Sequence, residues 1–387
     1  MSAVAAAIGA GLADLDARSL RRTRRVLESA QGAHVRVGSR VLANFSSNDY
    51  LGLANHPRLR AAAHAAIDRY GVGAGASPLV SGNLRVHEAA EERFAAFAGL
   101  PRALLFGSGY AAYLGILAAL GGRDVEVFSD ALNHACLVDG ARLSRGKVAV
   151  YAHSDVGALS QLLAASSASR KIVASDAVFS MDGDIAPIAQ LLELCERHDA
   201  WLVLDDAHGI GVLGERGRGT LEHLGVRSPR IVYMATLGKA LGGYGAFVAA
   251  QPQVIEWLLQ RARTYVYSTA LPPAAAAVAI AALDLLDADG ALVAQLHARI
   301  GDFAAACAQA AVPIAASATA IHPFIIGTAG DALATSRRLD DAGFLVPAIR
   351  PPTVPEGTSR LRVSLSAAHT REDVRSLAGA LARCRPR

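Results

Sequence analysis

The chain has 387 residues, of which 52% are hydrophobic and 19% charged, so it can bury a large core and does not have the composition of a disordered polymer. Its formal net charge is only +4, and the basic residues are mostly scattered among acidic ones, which argues against a nucleic-acid partner. No apolar run reaches the roughly 18–20 residues that a membrane helix needs, so we expect a soluble protein that does not associate with membranes.

Residues 1–45 predict an N-terminal arm rather than a domain. The stretch from Met1 to Ala13 is alanine-rich, but it lacks a basic region before its apolar part and is followed by two aspartates, so we expect a helix and not an export signal. A cluster of arginines comes next, and it either steers an anionic substrate or forms a basic helix face in water. Its members are Arg18, Arg21, Arg22, Arg24 and Arg25.

The cysteines indicate a reducing compartment. They show neither close pairing nor the spacing of metal ligands, which predicts a cytoplasmic protein with structural thiols and no metal site. They are Cys136, Cys195, Cys307 and Cys384.

From Ala103 onward, short apolar runs alternate with helical patterns. The alternation predicts a mainly parallel sheet covered by helices, in a large α/β domain of residues 46–286. One helical pattern is Pro187–His198, in which Pro187 suits the first turn. The predicted strands are Ala103–Phe106, Val125–Phe128, Lys147–Tyr151, Lys171–Ala174, Trp201–Leu204 and Ile231–Met234, with Gly245–Ala249 as another candidate. Because such sheets bind ligands at the carboxyl ends of their strands, polar residues just past each run become candidates for chemistry.

The last part of the chain, residues 287–387, predicts a smaller α+β domain. An alanine-rich helix at Pro273–Leu286 leads into it. Its predicted elements are helices at Ala291–Ala311 and Ala332–Ala342 and strands at Phe344–Ala348 and Arg360–Leu365.

Lys239 lies among small residues directly after a predicted strand, in the segment Thr-Leu-Gly-Lys-Ala-Leu-Gly-Gly at 236–243. Lysine forms imines with carbonyl compounds once its amine loses a proton, and a crowded, partly dehydrated pocket favours that loss. The alternative is an ordinary lysine in a solvated loop.

Asp205 and His208 end another strand, three positions apart. An aspartate there can keep a pyridinium nitrogen protonated through a charge-assisted hydrogen bond, and the histidine can reach a neighbouring ring hydroxyl. The structural alternative is that Asp205 or Asp206 caps the following turn and His208 satisfies backbone groups.

The turn Phe-Gly-Ser-Gly-Tyr at 106–110 joins a strand to a helix and so offers backbone N–H groups to a phosphate, with Gly109 and Tyr110 as its contacts. A second glycine-rich stretch, 71–75, resembles a dinucleotide fingerprint, but it follows the helical pattern Arg58–Tyr70 rather than a strand, so a nicotinamide dehydrogenase is not supported. After two further strands, His134 could stack on an aromatic cofactor and Ser180 could donate to its ring oxygen; otherwise they are a core histidine and a turn serine.

Together these segments resemble the α-oxoamine synthases, pyridoxal-phosphate enzymes of the aspartate-aminotransferase fold, over residues 22–369. The segment Thr-x-x-Lys, which ends at Lys239, is similar to the family's Schiff-base loop. The segment Asp-Asp-Ala-His-Gly, which begins at Asp205, is similar to the strand that holds the pyridine ring. The segment Val-Phe-Ser-Met-Asp-Gly-Asp at 178–184 is similar to the turn that contacts the ring. The resemblance implies the fold of type I pyridoxal-phosphate-dependent transferases and pyridoxal 5'-phosphate as cofactor.

The resemblance also implies a role for each matching residue. It assigns the covalent link to Lys239, ring stacking to His134, the pyridinium contact to Asp205, ring-oxygen contacts to Ser180 and His208, and the phosphate to Gly109, Tyr110 and Thr236. Family members are homodimers with shared active sites, so Ser268 and Thr269 would reach the neighbouring subunit's phosphate.

Two more segments resemble the branch of this family that joins L-alanine to a pimeloyl thioester in biotin biosynthesis. They are Asn-Phe-Ser-Ser-Asn-Asp-Tyr-Leu-Gly-Leu at 44–53 and Ala-Ile-Arg-Pro-Pro-Thr-Val-Pro at 348–355, of which the second discriminates better. The implied acyl donor is a thioester of coenzyme A or of acyl-carrier protein. Arg362 would hold the amino-acid carboxylate, and Arg22, Asn48 and Thr353 would line the acyl site, although Arg21 or Arg24 could replace Arg22.

One position departs from the family pattern, because Tyr113 stands where many relatives have asparagine. Rival functions are another α-oxoamine synthase, such as glycine C-acetyltransferase or 5-aminolevulinate synthase, and a non-catalytic regulator that binds the same cofactor. The regulator would need an appended DNA-binding segment, and the sequence shows none.

Overall fold

The computed structural model of the chain describes residues 2–288 and 290–384. They form two compact units. The large unit consists of residues 51–180 and 184–294, and the small unit of residues up to 50, 181–183 and those from 295 onward. The predicted arm and the predicted domain boundaries after residues 45 and 286 stay predictions.

The strands in chain order are β1 (His34–Val37), β2 (Arg40–Asn44), β3 (Arg102–Phe106), β4 (Val125–Asp130), β5 (Lys147–Tyr151), β6 (Arg170–Asp176), β7 (Ala200–Asp205), β8 (Ile231–Thr236), β9 (Ala246–Ala250), β10 (Ile321–Gly327), β11 (Phe344–Leu345), β12 (Ala348–Ile349) and β13 (Ser359–Ser364). The α-helices are α1 (Ala3–Ala17), α2 (Pro57–Tyr70), α3 (Arg85–Ala98), α4 (Gly109–Leu120), α5 (Ala135–Leu143), α6 (Val156–Ala165), α7 (Ile188–Arg197), α8 (Thr220–Leu224), α9 (Pro252–Arg261), α10 (Arg263–Val266), α11 (Pro273–Ala288), α12 (Ala291–Gln309), α13 (Ala329–Asp341) and α14 (Arg371–Cys384). A short π-helical turn occupies Pro78–Gly82.

A seven-stranded sheet in the order β3-β9-β8-β7-β6-β4-β5 forms the centre of the large unit. Neighbours from β8 to β5 are parallel, whereas β9 runs antiparallel to both β3 and β8. The predicted mainly parallel sheet is therefore confirmed. Several strands extend two residues beyond the predicted carboxyl ends, because polar residues there still pair with the neighbouring strand; Asp176 lies opposite Asp205 in this way.

Helices cover this sheet and exclude water from its strands. Residues of β4, β7 and β9 are almost all buried, as expected for strands of a sheet with both faces covered. α4 and α5 contribute Ile116, Leu117 and Leu137 to the core, each with no measurable exposure. α7 begins at Ile188, so Pro187 precedes the helix instead of occupying its first turn.

The small unit contains two three-stranded sheets, in the orders β1-β2-β11 and β10-β13-β12. β1 and β2 form an antiparallel hairpin, and β13 pairs antiparallel with both β10 and β12. The sequence patterns did not predict β1, β2 or β10.

The single strand predicted at Phe344–Ala348 is wrong, because the chain changes sheets within it. Phe344–Leu345 pairs in parallel with β2, whereas Ala348–Ile349 pairs with β13. Pro347 between them has no backbone N–H and cannot continue a ladder. The carbonyl of Val346 accepts a hydrogen bond from Ser336 Oγ at 2.6 Å instead.

The arginine cluster does not form a basic helix face, so that interpretation is also wrong. α1 ends at Ala17, Arg18 is its C-cap, and Ser19 adopts φ +56°. The backbone N–H groups of Leu20 and Arg21 then turn back to the carbonyl of Leu15, which closes the helix end. Across residues 2–288 and 290–384, no helix combines the length and the apolar character required to cross a membrane.

Candidate active site

A cavity that opens to solvent, with about 510 Å³ of empty space including its open mouth, lies in the large unit at the carboxyl ends of the parallel strands. It is lined by Gly109, Tyr110, His134, Cys136, Asp176, Ser180, Asp205, Ala207, His208, Met234, Thr236 and Lys239. The structure thus brings together eight predicted site residues, from segments more than a hundred residues apart: Gly109, Tyr110, His134, Ser180, Asp205, His208 and Lys239, and also Thr236, which only the family resemblance had indicated.

Lys239 is held in a tight loop between β8 and β9. Its Nζ lies 2.6 Å from His208 Nε2, at hydrogen-bond distance. The loop is fixed by backbone hydrogen bonds, including Gly242 N–H to the Lys239 carbonyl at 2.9 Å, and by Thr236 Oγ1, which donates to the Gly245 carbonyl at 3.0 Å. The amine is therefore placed by the loop and paired with an imidazole, which is unlike a lysine in a solvated loop.

Asp205 is a buried carboxylate at the end of β7, with 5% of its surface exposed. Its Oδ1 accepts a hydrogen bond from Ala207 N at 3.0 Å, and Cys136 Sγ donates to its Oδ2 at 3.7 Å. Burial raises the pKa of Asp205 above its ordinary value, and the charge of Lys239 partly opposes this increase. Such a carboxylate gains most from a ligand that presents a positively charged N–H group.

His134 follows β4 and caps the N-terminus of α5, where its Nδ1 accepts a hydrogen bond from Cys136 N at 3.3 Å. Its backbone N–H donates to Asp176 Oδ2 at 2.8 Å. Burial lowers the pKa of His134. The negative charge of Asp205 opposes this decrease, and the positive charge of Lys239 adds to it. The lowered pKa favours a neutral imidazole, and His134 is exposed and lines the cavity, so it is not a core histidine.

The predicted phosphate turn has the geometry of an anion site. α4 begins at Gly109, and Ser108 caps it by accepting a hydrogen bond from Ala111 N at 3.1 Å. A side chain at Gly109 would come within 3.3 Å of the Met234 side chain, so glycine keeps this approach open. The free N–H groups of the first helical turn and the helix dipole favour an anion here.

Ser268 and Thr269 do not line this cavity. Both are exposed and border a separate depression of the large unit, which also contains His87 and Glu91. Burial raises the pKa of Glu91 to about 7.

In the small unit, Arg22 Nη2 donates to Thr353 Oγ1 at 3.1 Å, so two of the residues predicted for acyl recognition are in contact. Arg21 pairs instead with Asp16 at 2.6 Å. Of the alternatives left open by the sequence, Arg22 is therefore the one that contacts Thr353.

Arg362 and Asn48 are also in contact, with Arg362 Nη1 donating to Asn48 Oδ1 at 3.1 Å. Arg362 Nη2 donates to the hydroxyl of Tyr50 at 3.1 Å, and Arg362 is 5% exposed. The planar fork of a buried guanidinium suits a carboxylate ligand, which it can bind with two parallel hydrogen bonds.

The sequence profile of class I and II aminotransferases matches residues 40–381 of the chain. The chain belongs to the class I and II aminotransferase family. Similar members include the 8-amino-7-oxononanoate synthase of Methylobacillus flagellatus, which is 55% identical over 371 residues, covering 96% of this chain and 94% of the relative.

Solved structures of the family share this fold. An SPT structure with the PLP internal aldimine is 26% identical, with a TM-score of 0.92 over 98% of this chain and 96% of that chain. The 8-amino-7-oxononanoate synthase of Francisella tularensis is 29% identical, with a TM-score of 0.76 over 88% of this chain and 97% of that one. The predicted type I fold is thereby confirmed.

Three residues of the candidate sites were not predicted from the sequence: Asp176, Cys136 and Tyr50. Asp176 is the clearest, because it ends β6 beside Asp205 and accepts the hydrogen bond from the His134 backbone. Its own N–H donates to Asn133 Oδ1 at 2.9 Å. Burial raises the pKa of Asp176 well above its ordinary value, and the negative charge of the neighbouring Asp205 adds to this increase. The strand-end rule could have found it two positions past the predicted strand.

The family departure at Tyr113 is a core substitution. Tyr113 is fully buried in α4, and within the described part of the chain its hydroxyl has no hydrogen-bond partner. Burial raises its pKa well above the ordinary value, and the charges of Asp205 and Cys136 add to this effect.

Proposed function

We propose that the chain is an 8-amino-7-oxononanoate synthase that uses pyridoxal 5'-phosphate. It joins L-alanine to a pimeloyl thioester and releases 8-amino-7-oxononanoate, carbon dioxide and the free thiol, a step of biotin biosynthesis. The observation that carries this proposal is the placement of Lys239, His208, Asp205 and His134 around one cavity, in a chain 55% identical to a relative of that name.

The residues present fit the cofactor. In the cavity, the Lys239 amine would bind the aldehyde carbon of the cofactor, and the buried Asp205 carboxylate would bind its ring nitrogen. The neutral imidazole of His134 would stack on the cofactor ring. Ser180 and His208 supply polar groups for the ring oxygen, and the Gly109 turn with Thr236 supplies donors for the phosphate. When bound, the cofactor supplies an electron sink for negative charge at the α-carbon of the amino acid.

The chain's own residues then move and hold protons. Lys239 Nζ is the base that we assign to the α-proton of L-alanine, and His208 Nε2 at 2.6 Å is placed to share the proton of that amine. Asp205 stays negative against a positively charged ring nitrogen, an arrangement that its burial makes strong. His134 can donate a hydrogen bond to the acyl oxygen as negative charge develops there.

Substrate recognition is assigned to the small unit. Arg362 would hold the L-alanine carboxylate, since it is buried and supported by Asn48 and Tyr50. Arg22 and Thr353, which share a hydrogen bond, would line the acyl site together with Asn48.

A cytoplasmic homodimer completes the proposal. Ser268 and Thr269 are exposed on the large unit, as they must be to contact the phosphate of a neighbouring subunit. The free, buried cysteines among the described residues are compatible with a reducing compartment.

Purified protein loaded with pyridoxal 5'-phosphate should be mixed with L-alanine and pimeloyl-CoA, and the product identified by mass. We expect 8-amino-7-oxononanoate and free coenzyme A, with glycine plus acetyl-CoA giving far less thiol. Preference for glycine and acetyl-CoA would replace this proposal with a glycine C-acetyltransferase, and cofactor binding without thiol release from any pair would indicate the non-catalytic regulator. Pimeloyl acyl-carrier protein in parallel distinguishes the two acyl donors.

A further inference from the structure

Three potential metal ligands meet on one side of the cavity in the large unit. One ligand atom each from His134, Cys136 and Asp205 lies within 4.8 Å of the other two. His134 Nδ1 is 2.9 Å from Cys136 Sγ, and Cys136 Sγ is 3.7 Å from Asp205 Oδ2. His134 and Asp205 are both predicted to contact one cofactor, but Cys136, sixty-nine residues from Asp205, was not among the predicted site residues.

The spacing is close to that of a tetrahedral site. Zinc bonds of roughly 2.0–2.3 Å to nitrogen, sulfur and oxygen place neighbouring ligand atoms about 3.3–3.6 Å apart. The thiol-to-carboxylate distance already meets this requirement within a small adjustment. The thiol-to-imidazole distance must open slightly, and His134 can do so because its side chain borders the cavity, whose free volume also provides the fourth position.

The charges favour a dication at this point. Asp176 and Asp205 end neighbouring strands and are both buried, so solvent stabilises their ionised forms poorly and a bound cation would stabilise them, although the nearby Lys239 amine opposes that cation. A divalent cation bound to the Cys136 thiolate, the Asp205 carboxylate and a neutral imidazole forms a site without net charge. The thiol proton passes to solvent as the metal–sulfur bond forms, so charge and atoms balance.

We propose that the cofactor-free protein binds one thiophilic divalent cation, such as Zn²⁺, through His134, Cys136 and Asp205, and that this cation and the cofactor exclude each other. The exclusion rests on the proposed function, because it assigns His134 to the face of the cofactor ring and Asp205 to its nitrogen. Both occupants need the same two side chains. Zinc would thereby set how much of the protein can be loaded with cofactor.

Cobalt(II) is a suitable probe, because cobalt–thiolate bonds absorb light where the metal-free protein does not. The full chain, stripped of cofactor by a carbonyl reagent and dialysed, is titrated with Co²⁺ and then with Zn²⁺. We expect one Co²⁺ per chain with thiolate charge-transfer absorbance, which Zn²⁺ removes by displacement. Pyridoxal 5'-phosphate added first should abolish the absorbance.

Cys136→Ser is the test variant, and Cys195→Ser is its matched control, since both cysteines are buried and free and only Cys136 belongs to the cluster. Cys136→Ser should weaken Co²⁺ binding at least about tenfold and lose the charge-transfer absorbance. Cys195→Ser should leave both unchanged. Circular dichroism shows that each variant is folded.

Equal Co²⁺ binding by the wild type and Cys136→Ser would overturn the metal site, and so would the absence of thiolate absorbance in the folded wild type. Simultaneous binding of Co²⁺ and cofactor would overturn the exclusion. Failure of the proposed function is separate, because it would appear as metal-free protein that takes up no cofactor or forms no product, whereas the Co²⁺ titration is read without either.

Discussion

Replacing His322 by leucine should stabilise the small unit, and more so at acidic pH. His322 in β10 is 1% exposed, and among described residues neither ring nitrogen has a hydrogen-bond partner of regular geometry, although the Thr319 backbone interacts with the ring. Its ring packs edge-on against Phe303, with centroids 5.2 Å apart. A buried polar group without partners costs roughly 1–3 kcal/mol, so an apolar side chain of similar volume should be neutral or stabilising by about 1 kcal/mol at pH 7.5.

The pH dependence follows from protonation. Burial lowers the pKa of His322 to about 4, with the backbone of Thr319 partly opposing this, while the unfolded chain has a pKa of about 6.5. Because the folded state binds fewer protons, stability falls as pH drops below about 6.5. At pH 5 the wild type should lose about 2 kcal/mol that His322→Leu retains.

His369 provides the control, because burial also lowers its pKa to about 4 but its ring is hydrogen-bonded. Its Nδ1 accepts from Ser366 N at 3.0 Å, and its Nε2 lies 3.0 Å from the Asn44 carbonyl. His369→Leu leaves both backbone groups without partners and should destabilise by roughly 2–4 kcal/mol at pH 7.5.

Native-state hydrogen exchange of the β10 and β13 amides, corrected for intrinsic rates at pH 7.5 and 5, measures these local stabilities. An effect of His322→Leu that is the same at both pH values would refute the protonation argument. A loss at pH 7.5 as large as that of His369→Leu would refute the claim that the His322 ring lacks partners.

Four further outcomes are expected. Lys239→Ala should abolish the absorbance of covalently held cofactor and all product formation, as read by spectrum and mass. Asp205→Asn should slow exchange of the L-alanine α-proton in D₂O at least about tenfold by NMR, because an amide does not keep a pyridine nitrogen charged. Arg22→Ala should raise KM for the pimeloyl thioester roughly tenfold or more, the value of a charged hydrogen bond, and Arg24→Ala less than about twofold. Gly183→Ala should cost roughly 1–3 kcal/mol in urea unfolding, because Gly183 has φ +75° and a Cβ there would strike a backbone oxygen of β10. Retained absorbance, unchanged exchange, equal KM effects or unchanged stability would contradict the respective arguments.

Much of the candidate site could be predicted because the relevant residues follow apolar strands directly. Asp205, His208 and Lys239 each lie within a few residues of a strand end, and parallel strands bring such ends to one edge of the sheet. The seven strands of the central sheet are local apolar runs, so all seven could be located from the sequence.

What the sequence did not predict depends on register and on distant contacts. Asp176 could have been selected as a residue just past a predicted strand, but its position opposite Asp205 depends on the register of β6 and β7, which no local pattern reports. Cys136 belongs to the site because α5 starts beside β7. The change of sheet at Pro347 is similar, since each of the two short strands finds a different partner.

Two adjacent buried carboxylates carry a large desolvation cost, so their position points to a function rather than to stability. Asp176 accepts a hydrogen bond from the backbone N–H of His134 and so fixes the position of the residue that lines the cavity. Among the described residues, one oxygen of Asp205 is held by the Ala207 N–H and the other by a weak thiol donor, so Asp205 is the carboxylate with capacity for a ligand. A cation or a charged N–H group bound there recovers part of the desolvation cost, and by linkage it stabilises the folded large unit in proportion to its affinity. The same electrostatic demand therefore explains both why a protonated ring nitrogen suits this site and why a divalent metal ion can compete for it.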